Sequence, residues 1–480
     1  MPPPYALGPG AASEATSSGG KNASDCGYSG AMSDVVLLLR AAIGDSVVTD
    51  REALDAMRSD KSGHRSDGAP LALVNARSID DVQAVMRIAT ETATPVVTRG
   101  AGTGLAGGSI ATGGEIVLST LAMNRILEIS ADDALAVVES GIINGDFNDA
   151  LARHGMWFVP DPASRAISTV GGNIATNAGG LLCAKYGVTR DSVLGLKVVL
   201  ADGRLISVGR RTVKGVTGYD MTALMIGSEG TLGIIVEATV KLRQRTLGRV
   251  ATVSAHFDSV ETAAAAATAI GVAGVQPAVM ELISESGMAA LASYLELGEV
   301  HGSQLLVQTD GAGAQAEADA ALAIIRQFGG IGEITSDEEE GERLFAIRRS
   351  FYAAVASLGH VLIEDVCVPR TRLAEMFAVI ADIEHRYGIV IPTVAHAGDG
   401  NLHPNFILES PEVPPEIWAA ADELFLAALR LGGTLTGEHG VGLLKRRWMT
   451  DELGEDQLEL QRSIKAVFDP LGILNPGKVF

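Results

Sequence analysis

The chain has 480 residues, 47% hydrophobic and 20% charged, a globular composition with room for two or three domains. A formal net charge of −21 argues against a nucleic-acid phosphate surface and against electrostatic adhesion to anionic lipid. Three widely spaced cysteines, Cys26, Cys183 and Cys367, exclude a disulfide framework or thiolate metal site, and no apolar run reaches the about 18 residues that span a bilayer.

Residues 1–31 are rich in Pro, Gly, Ser and Ala without periodicity and are expected to form a disordered tail, followed by N-terminal helices over 32–64. SIDDVQAVMRIATET (78–92) opens on a Ser/Asp capping pattern and carries apolar residues at helical spacing. PVVT (95–98) is a short strand entering a glycine-rich turn, and LKVVLADGRLISV (196–208) predicts a hairpin through a D-G turn. After about residue 248 the rhythm changes. RVATVSAHF, an Ala-rich helix (261–270), AVMELI, QLLVQT, a helix (314–328) and a strand near 331–334 come first. VLIEDVCVP, the helix RLAEMFAVIADIEHRYG and GIVIPTVAHAG follow, then helices over 416–433 and 455–470. This alternation predicts helices packed on one face of a sheet.

VVTRGAGTGLAGGS (96–109) contains Gly102-x-Gly104-x-x-Gly107 after a strand, a formal match to the dinucleotide fingerprint. That reading requires a helix starting at the third glycine. The continuation SIATGGEIVLST lacks a helical stripe, so a Rossmann site is rejected. The loop can still cradle phosphate on converging backbone N–H groups, with Arg99 supplying charge. PDPAS (160–164), STVGGNIATNAGGLLCAKYG (168–187) and IGSEGTLGII (226–235) add further loops of small residues, as a large flat polar ligand requires.

TRGAGTGLAGG, GGNIATNAGG, KYGVTRDSVLGLKVVLADG and GYDMTALMIGSEGTLGI resemble the flavin domain of the vanillyl-alcohol oxidase/p-cresol methylhydroxylase superfamily. The nearer likeness, from about residue 65 to 480, is to the branch with glycolate oxidase flavin subunits, D-lactate dehydrogenases and D-2-hydroxyglutarate dehydrogenases. The resemblance implies an α+β architecture: a two-subdomain FAD-binding domain (65–245), an α+β substrate or cap domain (246–432) and a helical C-terminal segment (433–480) returning to the FAD domain.

It also implies the FAD contacts. Arg99, Gly100, Ala101, Gly102, Thr103 and Gly104 carry the pyrophosphate. Pro160, Ser168, Thr169, Gly172, Asn173 and Thr176 belong to the second set of loops, with Asn177, Gly179 and Gly180. Glu229, Gly230, Gly233 and Ile234 form the third set, and Asn475 in LNPGKVF lies near the flavin ring. No His or Cys lies between Arg99 and Thr120, so the FAD is expected to be non-covalent.

HAGDGNLHPN (396–405) places two histidines seven positions apart, on opposite faces of a smooth strand. Gly398 and Gly400 permit positive φ, so AGDGN can fold back and bring both rings to one side. Thirty-five residues after His403, LTGEHGVG supplies Glu438. Two imidazoles and a carboxylate suit a divalent metal, Zn²⁺ first, with Mn²⁺ or Fe²⁺ as alternatives, and leave positions open for an α-hydroxy acid. The relatives' HAGDGNxHP and GEHG motifs carry metal ligands, which the resemblance transfers to His396, His403 and Glu438.

By the same likeness His439 is the general base, its ordinary pKa of about 6.5 suiting neutrality. Asn405 is a polar substrate contact. In FAIRRSFYAAV (345–355) Arg348 takes the place of the relatives' substrate arginine, with Arg349 about 100° away on the helix and outside the site. Tyr352 stands where the hydroxyglutarate enzymes have threonine, and Ile363 where they have the lysine for a second carboxylate. A monocarboxylate such as D-lactate, glycolate or a longer 2-hydroxy acid is therefore favoured over D-2-hydroxyglutarate. An external electron acceptor or partner subunit, a homodimer and a cytoplasmic location complete the expectations.

Overall fold

The computed structural model describes residues 25–245, 250–410 and 412–480. Its first helix, Asp25–Ile43, begins inside the stretch expected to be tail, and residues 1–24 lie outside the described residues. Strands β1 (Val47–Val48), β2 (Ala72–Asn75), β3 (Val96–Arg99) and β4 (Ile116–Ser119) form a sheet in the order β1-β2-β4-β3, parallel except at β1. Helix Ile79–Glu91 makes the crossover from β2 to β3. The Ser78 hydroxyl caps it by accepting from the Asp81 N–H (3.2 Å), and Val82, Val85, Met86 and Ala89 turn one buried stripe to the sheet. No helix starts at Gly107, which removes the structural basis of a Rossmann site.

Strands β5 (Ile126–Ser130), β6 (Leu135–Glu139), β7 (Met156–Trp157), β8 (Val193–Val199), β9 (Leu205–Gly209), β10 (Ile234–Lys241) and β11 (Arg243–Gln244) follow. Five make an antiparallel sheet, β5-β6-β10-β8-β9, and β7 pairs with β11. The β8–β9 hairpin turns through Asp202-Gly203, where Gly203 takes a φ of +81°.

The second half holds β12 (Val250–Phe257), β13 (Val279–Ile283), β14 (Ser303–Asp310), β15 (Ile331–Thr335), β16 (His360–Ile363), β17 (Val366–Cys367), β18 (Thr393–His396) and β19 (Asn401–Leu408). They form one antiparallel sheet in the order β15-β12-β14-β13-β18-β19-β16, with β17 also on β19. Helices Val260–Val272, Ala314–Gln327, Leu373–Tyr387 and Pro415–Arg430 cover one face, burying Val253, Leu282, Leu305, Ala395, Leu402 and Phe406. The other face is not bare. Helix Glu285–Leu295, not expected from the residue pattern, and helices Glu338–Arg349 and Phe351–Ala356 pack there beside the polar residues of the site.

Several contacts join the halves. Asp310 at the end of β14 accepts hydrogen bonds from Lys185 and Tyr186. The last helix, Met449–Phe468, breaks at Gly454, and the chain then returns to the free edge of β3. There Val96 donates to the Ile473 carbonyl (2.7 Å) and Asn475 donates to the Val96 carbonyl (2.8 Å). Among the described residues no helix is long and apolar enough to cross a membrane.

Candidate active site

β18 and β19 are a hairpin, and its register decides where the two histidines go. His396 stands opposite Asn401 and Val394 opposite His403, so both imidazoles leave the same face. Only Gly400 of the turn uses positive φ (+91°), and a Cβ there would clash with the Val368 carbonyl. Gly398 is needed for close packing on Ala184 and Met280 instead. The ring centroids of His396 and His403 lie 5.2 Å apart, nearly perpendicular.

Glu438 comes to them from the C-terminal segment. Its Oε1 lies 3.1 Å from His403 Nε2 and 3.7 Å from His396 Nε2. One ligand atom from each of the three residues falls within 4.8 Å of the others. This set of two imidazole nitrogens and one carboxylate oxygen fits a borderline divalent cation. Burial pushes the Glu438 carboxyl up, but hydrogen bonds from His396 and His403 outweigh it and hold it well below its ordinary range. His439 stacks on His403 at 4.9 Å. Its pKa is lowered to about 4, chiefly by burial, below the unperturbed value the sequence implied.

Two carboxylates that the sequence reading left without a role organise these groups. Glu281 of β13 sits directly opposite His396 in the register and is fully buried. Its Oε1 meets His396 Nδ1 at 2.6 Å, and its Oε2 accepts from Arg348 Nε (2.8 Å) and lies 2.6 Å from Nη2 in an ion pair. Burial raises its pKa, yet His396 and Arg348 outweigh that and keep it ionised. Asp365, between β16 and β17, accepts from the Thr436 hydroxyl (2.6 Å) and from the backbone N–H groups of Glu438 (3.1 Å) and His439 (2.9 Å). Its carboxylate is thereby the clasp of the GEHG loop. Lys445 reinforces it by donating to the Asp365 and Leu435 carbonyls. Acids set among apolar residues, Glu281 in VMELI and Glu364-Asp365 in VLIEDV, were the available signal, because a buried charge requires a partner.

Arg348 lies in the last turn of its helix, mostly buried, while Arg349 pairs with Glu342 at the surface. Tyr352 is 56% exposed, so the structure does not bring it into the cluster. Asn405 is buried on the site face, but its amide nitrogen already donates to the Pro392 (3.1 Å) and His403 (2.7 Å) carbonyls. Any substrate contact therefore falls to its oxygen. Ile363 is directly opposite Asn405, on the same face.

The glycine loops meet above this sheet. Gly100 packs on Thr169 so closely that a Cβ would clash, and Gly102, at φ +68°, has the Arg99 guanidinium lying over it. Arg99 also donates to the Ser109 carbonyl (2.9 Å), so Ala101, Thr103 and Gly104 lie in a loop already folded around its cation. Thr169 caps helix Val170–Thr176 through the Gly172 N–H, and Thr176 bonds back to the Gly172 carbonyl. Asn173 bridges Ser168 and Asn144, Asn144 also reaches the Pro160 carbonyl, and Asn177 takes the left-handed cap and accepts from Arg190. Several side chains transferred as cofactor contacts are thus engaged in holding the loops.

Gly179 abuts Glu438, and Gly180 abuts Asp161. The Glu229 carboxylate is taken by the N–H groups of Val441 (2.7 Å) and Gly442 (2.9 Å), Gly233 presses on Val198, and the Ile234 side chain lies in the core. Asn475 donates to the Gly108 and Glu229 carbonyls. Its own Oδ1, like Thr98 Oγ1, is buried without a partner, and both residues flank Gly230. Unsatisfied polar atoms among glycine-lined loops fit a polar cofactor such as FAD.

Two subdomains with glycine-lined loops, and a further sheet that bears a convergent His-His-Glu cluster, have the make-up of a cofactor-dependent enzyme. In structure the chain is similar to p-cresol methylhydroxylase with substrate bound (TM-score 0.77, 18% identity, 94% of this chain and 97% of the other). Residues 70–209 match the FAD binding domain, and residues 248–479 match the FAD linked oxidases, C-terminal domain. The glycolate oxidase subunit GlcD of Bacillus subtilis (strain 168) is 40% identical over 419 residues, 86% of this chain and 89% of that protein. A D-lactate dehydrogenase of Archaeoglobus fulgidus is 35% identical over 416 residues, 85% and 90% of the two chains. The chain belongs to the FAD-linked oxidase family, whose cofactor is FAD.

Proposed function

We propose that this protein oxidises a D-2-hydroxy monocarboxylate, D-lactate or a longer homologue, to the 2-oxo acid and delivers the electrons to an external acceptor. The observation that carries the reading is the chain of contacts Arg348–Glu281–His396–Glu438–His403, with His439 stacked at its end. It sets a guanidinium for a carboxylate beside a ligand set for an α-hydroxyl. The two similar proteins named above, a glycolate oxidase subunit and a D-lactate dehydrogenase, support the substrate class.

In this reading Arg348 binds the substrate carboxylate through the end of its guanidinium that Glu281 leaves free. His396, His403 and Glu438 would hold a divalent metal, which supplies a Lewis acid for the substrate hydroxyl. His439, neutral because burial lowers its pKa to about 4, accepts the hydroxyl proton at Nε2, the nitrogen 3.8 Å from Glu438. FAD, held on the glycine loops, would supply a two-electron acceptor for the hydrogen at the substrate Cα. Ile363 opposite Asn405 supports an apolar substrate tail over a second carboxylate.

The test is anaerobic flavin bleaching by D- and L-2-hydroxy acids and glycolate, before and after chelation. Bleaching by D-lactate or longer D-monocarboxylates, lost on chelation and restored by one divalent metal, is expected. Bleaching chiefly by D-2-hydroxyglutarate would overturn the reading of Ile363, and bleaching chiefly by glycolate would favour the GlcD-like alternative.

A further inference from the structure

Resting on the reading just given, we infer that Glu281 is a positioning residue that fixes a metal-ligand imidazole and the substrate guanidinium together, so that metal and carboxylate affinity share one buried anchor. The geometry divides its two oxygens between two functions. Oε1 receives His396 Nδ1 at 2.6 Å, which leaves Nε2 aimed at Glu438 and His403. A ligand imidazole gains a fixed tautomer and ring orientation from such a partner. Oε2 accepts from Arg348 Nε at 2.8 Å and pairs with the charge at Nη2, 2.6 Å away. That edge of the guanidinium is spent inside the protein, and the substrate carboxylate is left the Nη1 end.

The backbone makes the arrangement stiff. Glu281 lies on β13, hydrogen-bonded to β14 on one side and to β18 on the other, with His396 as its register partner. Ile283 on the same face packs with Phe351, just beyond Arg348 on the following helix. Neither oxygen is exposed, so water cannot replace a lost partner.

The experiment compares wild type, Glu281→Gln and Glu281→Asp as purified holoproteins with flavin content and thermal midpoint recorded. Zn²⁺ and Mn²⁺ affinities come from chelator competition, and pyruvate affinity from flavin absorbance at saturating metal. KM and kcat for D-lactate complete the set. Glu281→Gln is expected to weaken metal binding 10–100-fold. At saturating metal it should also weaken pyruvate binding and raise KM about tenfold or more, with a smaller change in kcat.

Glu281→Asp keeps the charge but is too short to reach both partners, and it should show both losses in milder form. It decides the matter if the Gln variant does not fold. A folded variant that changes only one affinity, or neither, overturns the shared anchor. A wild type that holds no divalent metal overturns the metal reading itself and the anchor with it, whereas a metal-binding wild type matched by its variants overturns only the role of Glu281.

Discussion

At the scale of single residues, the site is a set of cations and imidazoles held by buried carboxylates. Ile363 is the residue that departs most from a dicarboxylate site, and its register with Asn405 places it on the face of the sheet that carries His396 and His403. Lysine at this position would add a cation within reach of a second carboxylate. Ile363→Lys is therefore expected to raise kcat/KM for D-2-hydroxyglutarate relative to D-lactate by about tenfold, the scale of one charged hydrogen bond. Steady-state kinetics with the two substrates give the ratio, and an unchanged ratio would place the tail-binding region elsewhere. Arg349, which lies beside Arg348 in sequence but pairs with Glu342 at the surface, shows how one position along a helix separates site from solvent.

Among elements, the β18–β19 hairpin has the greatest leverage. Its four-residue turn fixes the register that brings His396 and His403 to one face, and Gly400 is the point where backbone space and sign of φ are both restrictive. Gly400→Ala is expected to destabilise by about 1–3 kcal/mol through the strained φ alone, with the Val368 carbonyl clash adding to it. It should also weaken metal binding. Ser78→Ala, which removes a helix cap far from the site, should cost about 1 kcal/mol and leave metal affinity unchanged. Thermal melts and chelator titrations on both variants separate the effects; equal metal affinity in the two would show that the turn does not control the site.

The whole molecule carries an acidic excess and several buried acids, and these make its stability depend on pH. Burial pushes Asp161, Glu229 and Glu364 each up to about 7, from ordinary values of 3.8 for Asp161 and 4.5 for the two glutamates. Over that window the folded state binds more protons than the unfolded one, so stability falls as pH rises through it. Glu281, Asp365 and Glu438 are held low and act in the opposite sense, losing their contribution only as pH falls below about 4.5. The thermal midpoint is accordingly expected to peak between about pH 4.5 and 6 and to decline toward pH 8. Glu229→Gln, which has no proton to lose, should reduce that decline, by at most about 3 kcal/mol. A midpoint that climbs steadily to pH 8 would contradict the assignment of these buried acids.

Much of the molecule was legible in the chain. Helix Ile79–Glu91, the β8–β9 hairpin and most strands of the second sheet follow from periodicity and turn chemistry, which act over a few residues. The glycine loops and the HAGDGNLHPN and GEHG motifs named the family, because long motifs preserve backbone conformations that few sequences satisfy. The helix Glu285–Leu295 was missed where Gly and Ser blur its stripe, and Tyr352, expected as a substrate contact, is 56% exposed. The partners of Glu281 and Asp365 were hidden for a different reason. A strand's sequence gives the side of the sheet on which a residue lies, but not which strand lies beside it. Only the antiparallel register sets Glu281 against His396, and only the return of the C-terminal segment brings Glu438 and His439 onto Asp365. The sequence by itself determined which chemical groups this protein owns and which family they belong to. The tertiary structure decided which buried charges face one another, because pairing across strands is set by packing between segments more than a hundred residues apart.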